Sequence, residues 1–391
     1  MHYPDGDNII TDNDGASWFT DGPPATTLKA DVMNALVGEL ANILKAYNIP
    51  IKNSGNDTYD QIAGALIARD QGKTREASVV IASSDSDENA RLTADVVINA
   101  NENFVPIINA QILALSNAGG GKILLRKGNY TNPDPFGTGV VTQNHVAIEG
   151  ESQGETILSW TGALNSGRIT ATGKIYCSLS NLTIKVNVGG TEGIYGFNSN
   201  GCFCNNVTSE YTGAGDSGSG FTNCNNAYNC IALHRSAGFI DCDNLYNCVC
   251  ENVGSNVGFR KCNNAVSCKA INCAEGFYGE VTTLSAAAFS KKSGPHINCI
   301  AQNCLRGFIY VLISKGCKAI NCEQTGFFNC WGLQGCGAYS TWSGVGFRDC
   351  HGMQGNYGYS NISTFTSCTP EWTSAAVAIA DTAAGGWNIF L

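Results

Sequence analysis

The residues of this chain best equipped for chemistry are its 19 cysteines and five histidines, and spacing decides what they can do. Structural zinc sites favour Cys-x-x-Cys pairs. Here the cysteines have one residue between them, as in Cys202/Cys204 and Cys248/Cys250, or four to five, as in Cys268/Cys273 and Cys224/Cys230. No metal site and no cofactor is therefore expected. Disulfides are a second reading, but an odd number cannot pair completely within one chain. Met1–Gly6 shows no basic stretch leading into an apolar run, so no signal peptide is expected, which counts against an oxidising compartment. Packing is the third reading. When Gly220–Cys268 is aligned on its own repeats, Cys230, Cys248 and Cys268 share one level, and Ala232, Cys250 and Ala270 share another. Where Cys exchanges with Ala it serves as a small buried hydrophobe. The cysteines are expected to form a ladder of free thiols inside the fold.

Carboxylates are the other candidates. Glycoside hydrolysis needs a pair of Asp/Glu residues, and calcium-dependent chemistry needs several clustered oxygens. Asp216, Asp241, Asp243, Glu251, Glu275, Glu280 and Asp349 are scattered through the repeats, and they read as solvated corner residues. His234 falls at the level of Asn252 and Asn272, which points to a corner hydrogen bond rather than catalysis. No catalytic motif is recognisable; an enzyme built on this chain would be a polysaccharide lyase or a glycoside hydrolase. For binding, Tyr278, Glu280, Lys291, Lys292 and His296 surround an interruption of the repeat, and Trp331 and Trp342 lie in a stretch that reads as irregular, 331–345. Aromatic faces with polar neighbours suit sugar rings, so these seven residues are the candidate carbohydrate contacts.

The elements that must position them are repeats. Gly-Phe pairs at 220, 238, 258 and 276 recur at 18, 20 and 18 residues, the first three each followed by Cys and paired Asn/Asp. Units of about 20 residues with internal self-similarity form solenoids that must stack to bury a core. Punctuation this dense in Gly and Asn leaves room for strands and turns only. The fold class expected is mainly β, a right-handed parallel β-helix of single strands, preceded by a small helical region. Asn225/Asp243/Asn263 and Asn226/Asn244/Asn264 align as amide stacks that satisfy backbone groups at corners. The theme continues at Gly307-Phe308, Gly326-Phe327 and Gly346-Phe347. The interval from Gly276 to Gly307 is about a dozen residues too long, so 278–296 contains a loop thrown out from one coil.

Composition agrees. Only 14% of residues are charged and 46 are Gly; low charge suits a stack in which neighbouring rungs lie about 5 Å apart. A net charge of −9 offers no basic face for nucleic acid. No apolar run reaches the ~18 residues of a membrane span.

Before the repeats, residues 1–24 read as irregular. Leu28, Val32, Leu36 and Leu40 recur at helical spacing, and Thr58–Gln61 is a capping box opening a second short helix with Ile62 and Leu66 on its apolar stripe. Ser78–Ser86 reads as a strand into a turn. A third helix is expected over about 104–115, with Pro106 in its first turn and Ile108, Ile112 and Leu115 inward, stopped by Gly119–Gly121. Strands follow at Lys122–Arg126, His145–Gly150, Thr156–Leu158 and Leu179–Ile184.

The segment Ala25–Leu36, Glu39-Leu40, Gln61-Ile62 and Ala65-Leu66 resembles the N-terminal attachment segment of bacteriophage tail fibre and tailspike proteins. The order helix, Gly-rich stop, strand ending Gly128-Asn129-Tyr130 and turn Gly150-Glu151 resembles the opening of pectate-lyase-like β-helices; the polygalacturonase-like Asp-Asp and Gly-His-Gly landmarks are missing, with only Cys350-His351-Gly352 in their place. These resemblances imply a virion protein made in the bacterial cytoplasm and carried on the tail. They imply a parallel homotrimer, attached to a tail or baseplate protein through residues 1–77. The β-helix would open over 78–160, run through 161–368, contact a host-surface polysaccharide, and close with a cap at 369–391. A polysaccharide depolymerase on the same β-helix, or a bacterial carbohydrate-active enzyme or adhesin, are the alternatives.

Overall fold

Each coil of this chain turns at corners written as a residue that tolerates a left-handed backbone, followed by a small buried one. The computed structural model describes residues 9–11, 17–19, 78–133, 139–161, 169–187, 192–213, 218–251, 256–279, 294–339, 344–359, 363–368 and 387–390. The chain divides into two units, residues 1–76 and 77–391. In the first, Ile9–Thr11 and Ser17–Phe19 pair as antiparallel strands. The expectation of an irregular 1–24 is thus corrected: Ile9, Ile10, Trp18 and Phe19 are β-forming residues, and the segments that hold them pair as strands. The apolar positions expected on attachment helices, Leu28, Val32, Leu36, Leu40, Ile62 and Leu66, lie outside the described residues.

The second unit is a parallel β-helix. One coil consists of strands Ser219–Thr222, Asn225–Tyr228 and Ile231–Leu233. The next consists of Ala237–Ile240, Asp243–Tyr246 and Val249–Glu251. Counterparts pair in parallel, Phe221 with Phe239, Ala227 with Leu245 and Ala232 with Cys250. The winding therefore has three faces, here called the Gly-Phe face, the middle face and the alanine face. Among the described residues the Gly-Phe face runs through 11 strands.

In-register pairing stacks like on like. Phe221, Phe239, Phe259, Phe277, Phe308, Phe327, Phe347 and Phe365 form one column, with ring centroids 4.6–5.1 Å apart. Isolated rings prefer offset or edge contacts; here strand spacing imposes the parallel stack. Opposite the column, Ala232, Cys250, Ala270, Ala301, Ala319 and Ala338 line the alanine face. The two faces approach closely. A Cβ on Gly238 would lie 2.3 Å from Cys250 Sγ and 2.5 Å from the Gly258 carbonyl, which is why Gly precedes each Phe of the column from Phe221 to Phe347.

Corners account for the cysteines. Every cysteine except Cys204 and Cys250 follows a residue with positive φ, among them Asn223 (51°), Asp241 (51°), Asn247 (53°), Asn272 (54°) and Gly316 (64°). Each of these corner thiols donates to a backbone carbonyl; Cys248 Sγ reaches Ala227 O in the coil below at 3.4 Å and Tyr246 O at 3.6 Å. All 19 are free thiols, buried except for the half-buried Cys368. The small-hydrophobe reading therefore holds for Cys204 and Cys250 and is incomplete elsewhere: a corner cysteine is a compact hydrogen-bond donor as well as filler. The amide stacks form as expected, Asn244 donating to Asn226 and Asn264 to Asn244, both at 3.1 Å.

The opening coils hold two helices, α1 (Glu88–Thr93) and α2 (Phe104–Asn117). The first is an element that periodicity missed, because six residues are too few to show it; Asp87 caps it by accepting from Ala90 N at 2.8 Å. From α2, Phe104, Val105, Ile108, Ile112 and Leu115 enter the core that continues through the coils to Met353. Phe104 meets the Trp160 indole edge-on at 4.9 Å. At the far end Trp387–Phe390 pairs antiparallel with Asn356–Tyr359. Among the described residues no helix is long and apolar enough to cross a membrane.

Candidate functional site

One edge of the winding differs from the rest: the corner between the Gly-Phe face and the middle face. Each coil brings to it the last residue of the Gly-Phe strand, the left-handed corner residue and the first residue of the middle strand. In successive coils these are Thr222, Asn223 and Asn225; Ile240, Asp241 and Asp243; then Arg260, Lys261 and Asn263. Tyr278 follows above Arg260. Beyond it come Ile309, Tyr310 and Leu312; Phe328, Asn329 and Trp331; and Arg348, Asp349 and His351. The lower coils make this edge polar and charged. The upper coils make it aromatic.

Ring orientation separates this edge from the Phe column and from the Tyr228–Tyr246 pair; one further turned pair, Tyr339 and Tyr357 at 78°, lies off this edge. In the Phe column the planes from Phe221 to Phe347 lie within 6° of parallel, so every face is covered by the next ring. Tyr228 and Tyr246, half-exposed on the middle face, are likewise stacked, at 9°. On the upper edge the rings are turned. Tyr278 and Tyr310 meet at 78° and 5.9 Å, Tyr310 and Phe328 at 59° and 5.8 Å, and Trp331 and His351 at 47° and 4.5 Å. Rings inclined like this are not stacked face to face; Trp331 is 37% exposed, as Tyr228 and Tyr246 are.

Charged groups accompany the rings. The Arg348 guanidinium lies 5.6 Å from the Phe328 centroid and its Nε is 3.5 Å from Asp349 Oδ2. Arg306 Nη2 binds Glu275 Oε1 at 2.7 Å on the same Gly-Phe face. Burial pushes the Tyr278 phenol above its ordinary pKa, Glu275 and Tyr310 add to the rise, and Arg260 and Arg306 oppose it. These four residues thus share one electrostatic neighbourhood. Lower on the edge Asp241 and Asp243 flank Cys242, and Asp243 Oδ1 accepts from Asn263 Nδ2 at 2.6 Å. Among the described residues no group of three or more His, Cys, Asp or Glu could hold a metal ion. The edge offers ring faces, guanidinium donors and carboxylate acceptors, the combination that holds a polyhydroxylated ligand.

Of the seven expected contacts, Tyr278 and Trp331 stand on this edge. His296 does not: it occupies the column of Ala265 and Ser314 on the middle face, points inward and is 2% exposed. Its side chain serves the core, because the residue three before a corner cysteine, here Cys299, faces the bore. Burial holds its imidazole below its ordinary pKa against the opposing influence of Cys317 and Cys268. Trp331 lies in a regular strand, Trp331–Gln334, rather than an irregular stretch; Gly332 and Gly335 take the left-handed positions that Asn holds in other coils. Glu280, Lys291, Lys292 and Trp342 lie outside the described residues. Register places the interruption of the repeat between Gly279 and Gly294, at this same edge. Tyr310, Phe328, Arg348 and His351 were missed; aligning the residue that follows each Gly-Phe pair, and its neighbours around the corner, would have found them.

No protein-family model matches the chain, and no curated protein matches its sequence. Solved structures with a similar fold include the A-module of the Azotobacter vinelandii mannuronan C-5 epimerase AlgE4, 16% identical over 66% of this chain and 73% of that one, with a TM-score of 0.37. ORF18 of Geobacillus virus E2 is 9% identical over 86% of this chain and 67% of its own, with a TM-score of 0.34. The Dettilon tailspike protein is 10% identical over 67% of this chain and 64% of its own, with a TM-score of 0.33. At these identities the likeness extends to the β-helical winding and no further.

Proposed function

We propose that this chain is a tail fibre or tailspike-like virion protein whose β-helix contacts a host-surface polysaccharide along the corner edge from Tyr278 to His351. The observation that carries the reading is the turning of the rings there, against their parallel stacking in the Phe column and in the Tyr228–Tyr246 pair. Turned rings beside Arg348 and Asp349 suit a pyranose, whose apolar face would lie on a ring while its hydroxyls meet the charged groups. In this reading residues 1–77 attach to a tail or baseplate protein, 78–160 open the helix, 161–368 form its body and 369–391 cap it. Three copies associate in parallel. The alanine face supports the association, since Ile231, Leu233, Val249, Ile271, Ile300 and Ile320 alternate outward from its strands.

A depolymerase reading draws on Asp241 and Asp243, two carboxylates flanking one corner of the same edge. Incubating the purified protein with host capsule or lipopolysaccharide separates the two. Binding without released oligosaccharide supports the appendage, released oligosaccharide supports the depolymerase, and neither overturns both. A monomeric mass in solution would contradict the trimer.

A further inference from the structure

The thiol columns end differently. At the corner between the middle and alanine faces, the column Cys299, Cys317, Cys336 is closed by Asn356, which is fully buried and stands at the next height. At the Gly-Phe corner, Cys330 and Cys350 are followed by Cys368, the half-buried thiol. Cys350 is completely buried. Cys368 Sγ donates to Phe347 O at 3.4 Å and Thr366 O at 3.3 Å. Parallel neighbours in register lie about 4.8 Å apart, inside the ~4.4–6.8 Å separation of Cα atoms that a disulfide spans.

We propose that Cys368 is an oxidisable thiol with Cys350 as its resolving partner, so that peroxide staples the last coil to the one below it. The Cys368 sulfur attacks one oxygen of hydrogen peroxide and the O–O bond breaks. Cys368 becomes the sulfenic acid and one water leaves. The Cys350 sulfur then attacks Cys368 sulfur, the S–O bond breaks, the S–S bond forms and a second water leaves with the Cys350 proton. Peroxide takes up the two electrons that the thiol pair gives up. The access of the attacking thiol and the burial of its partner order the steps, since oxidation follows exposure. Every other cysteine is buried, and Cys336 lies beneath Asn356.

The test uses the folded full-length chain. After stepwise addition of hydrogen peroxide, the protein is unfolded in the presence of an alkylating agent and mapped by mass spectrometry. The first cross-link should join Cys350 to Cys368 within one chain while the other thiols remain alkylated. Loss of buried-column thiols before Cys368, or cross-links between chains, would overturn the proposal. In Cys350→Val, which places at that height the residue type found at Val311, dimedone should trap Cys368 as the sulfenic acid. Folded Cys350→Val without that adduct would also overturn it. If that variant fails to fold, the wild-type map decides.

Discussion

Asn356 and Cys336 occupy the same corner on successive coils and perform the same hydrogen bond. Cys336 Sγ donates to Ser314 O at 3.3 Å, and Asn356 Nδ2 donates to Leu333 O, the next carbonyl in that column, at 3.0 Å. Asn356 Oδ1 also accepts from Cys336 N at 2.8 Å. The corner therefore requires a compact buried donor, and thiol and amide both supply one. Cys336→Ala should lower stability by about 1–3 kcal/mol, the cost of leaving a buried acceptor unpaired, with Cys336→Asn losing less. Cys250→Ala, between Ala232 and Ala270, should cost below about 1.5 kcal/mol. Urea midpoints at unchanged slope read the three directly.

His296 makes stability pH-dependent. Burial holds its folded pKa below the value of about 6.5 it has when unfolded. The unfolded chain therefore takes up a proton first as pH falls. Stability from this residue is complete above about pH 6.5 and is lost progressively below it, down to the folded pKa. His296→Leu, the residue type at Leu245 and Leu333 in the same column, should flatten urea midpoints measured between about pH 5 and 7. An unchanged slope would show that other groups set it.

Gly238→Ala should destabilise the fold by about 1–3 kcal/mol through overpacking, since its Cβ would meet Cys250 Sγ and the Gly258 carbonyl. Combining it with Cys250→Ala relieves the sulfur contact alone. The backbone of the next coil remains in place, so the double variant should recover only part of the loss, again read by urea midpoint.

How much of this was legible before the fold follows from the same residues. The Gly-Phe period and the Cys/Ala exchange at 232, 250 and 270 revealed the solenoid because in-register stacking writes one residue type down a column. That α2 buries Ile108, Ile112 and Leu115 followed from spacing. The donor role of the corner thiols was hidden, since it depends on the left-handed residue before them and on a carbonyl one coil away. His296 was misplaced for a related reason: the interruption between Gly279 and Gly294 broke the alignment that shows Ala265 and Ser314 beneath and above it. The tilted rings were out of reach, because a column position determines height and face but not ring orientation.

The turned rings, and not aromatic residues in general, are the proposed contacts with the ligand. The decisive measurement is calorimetric titration of host-surface polysaccharide into folded wild type, Tyr310→Ala, Trp331→Ala and Tyr228→Ala. Truncating Tyr310 or Trp331 should weaken binding about tenfold or more, the loss expected of an aromatic anchor, while Tyr228→Ala binds as wild type does. Equal affinity in all four proteins, or a loss confined to Tyr228→Ala, would contradict it.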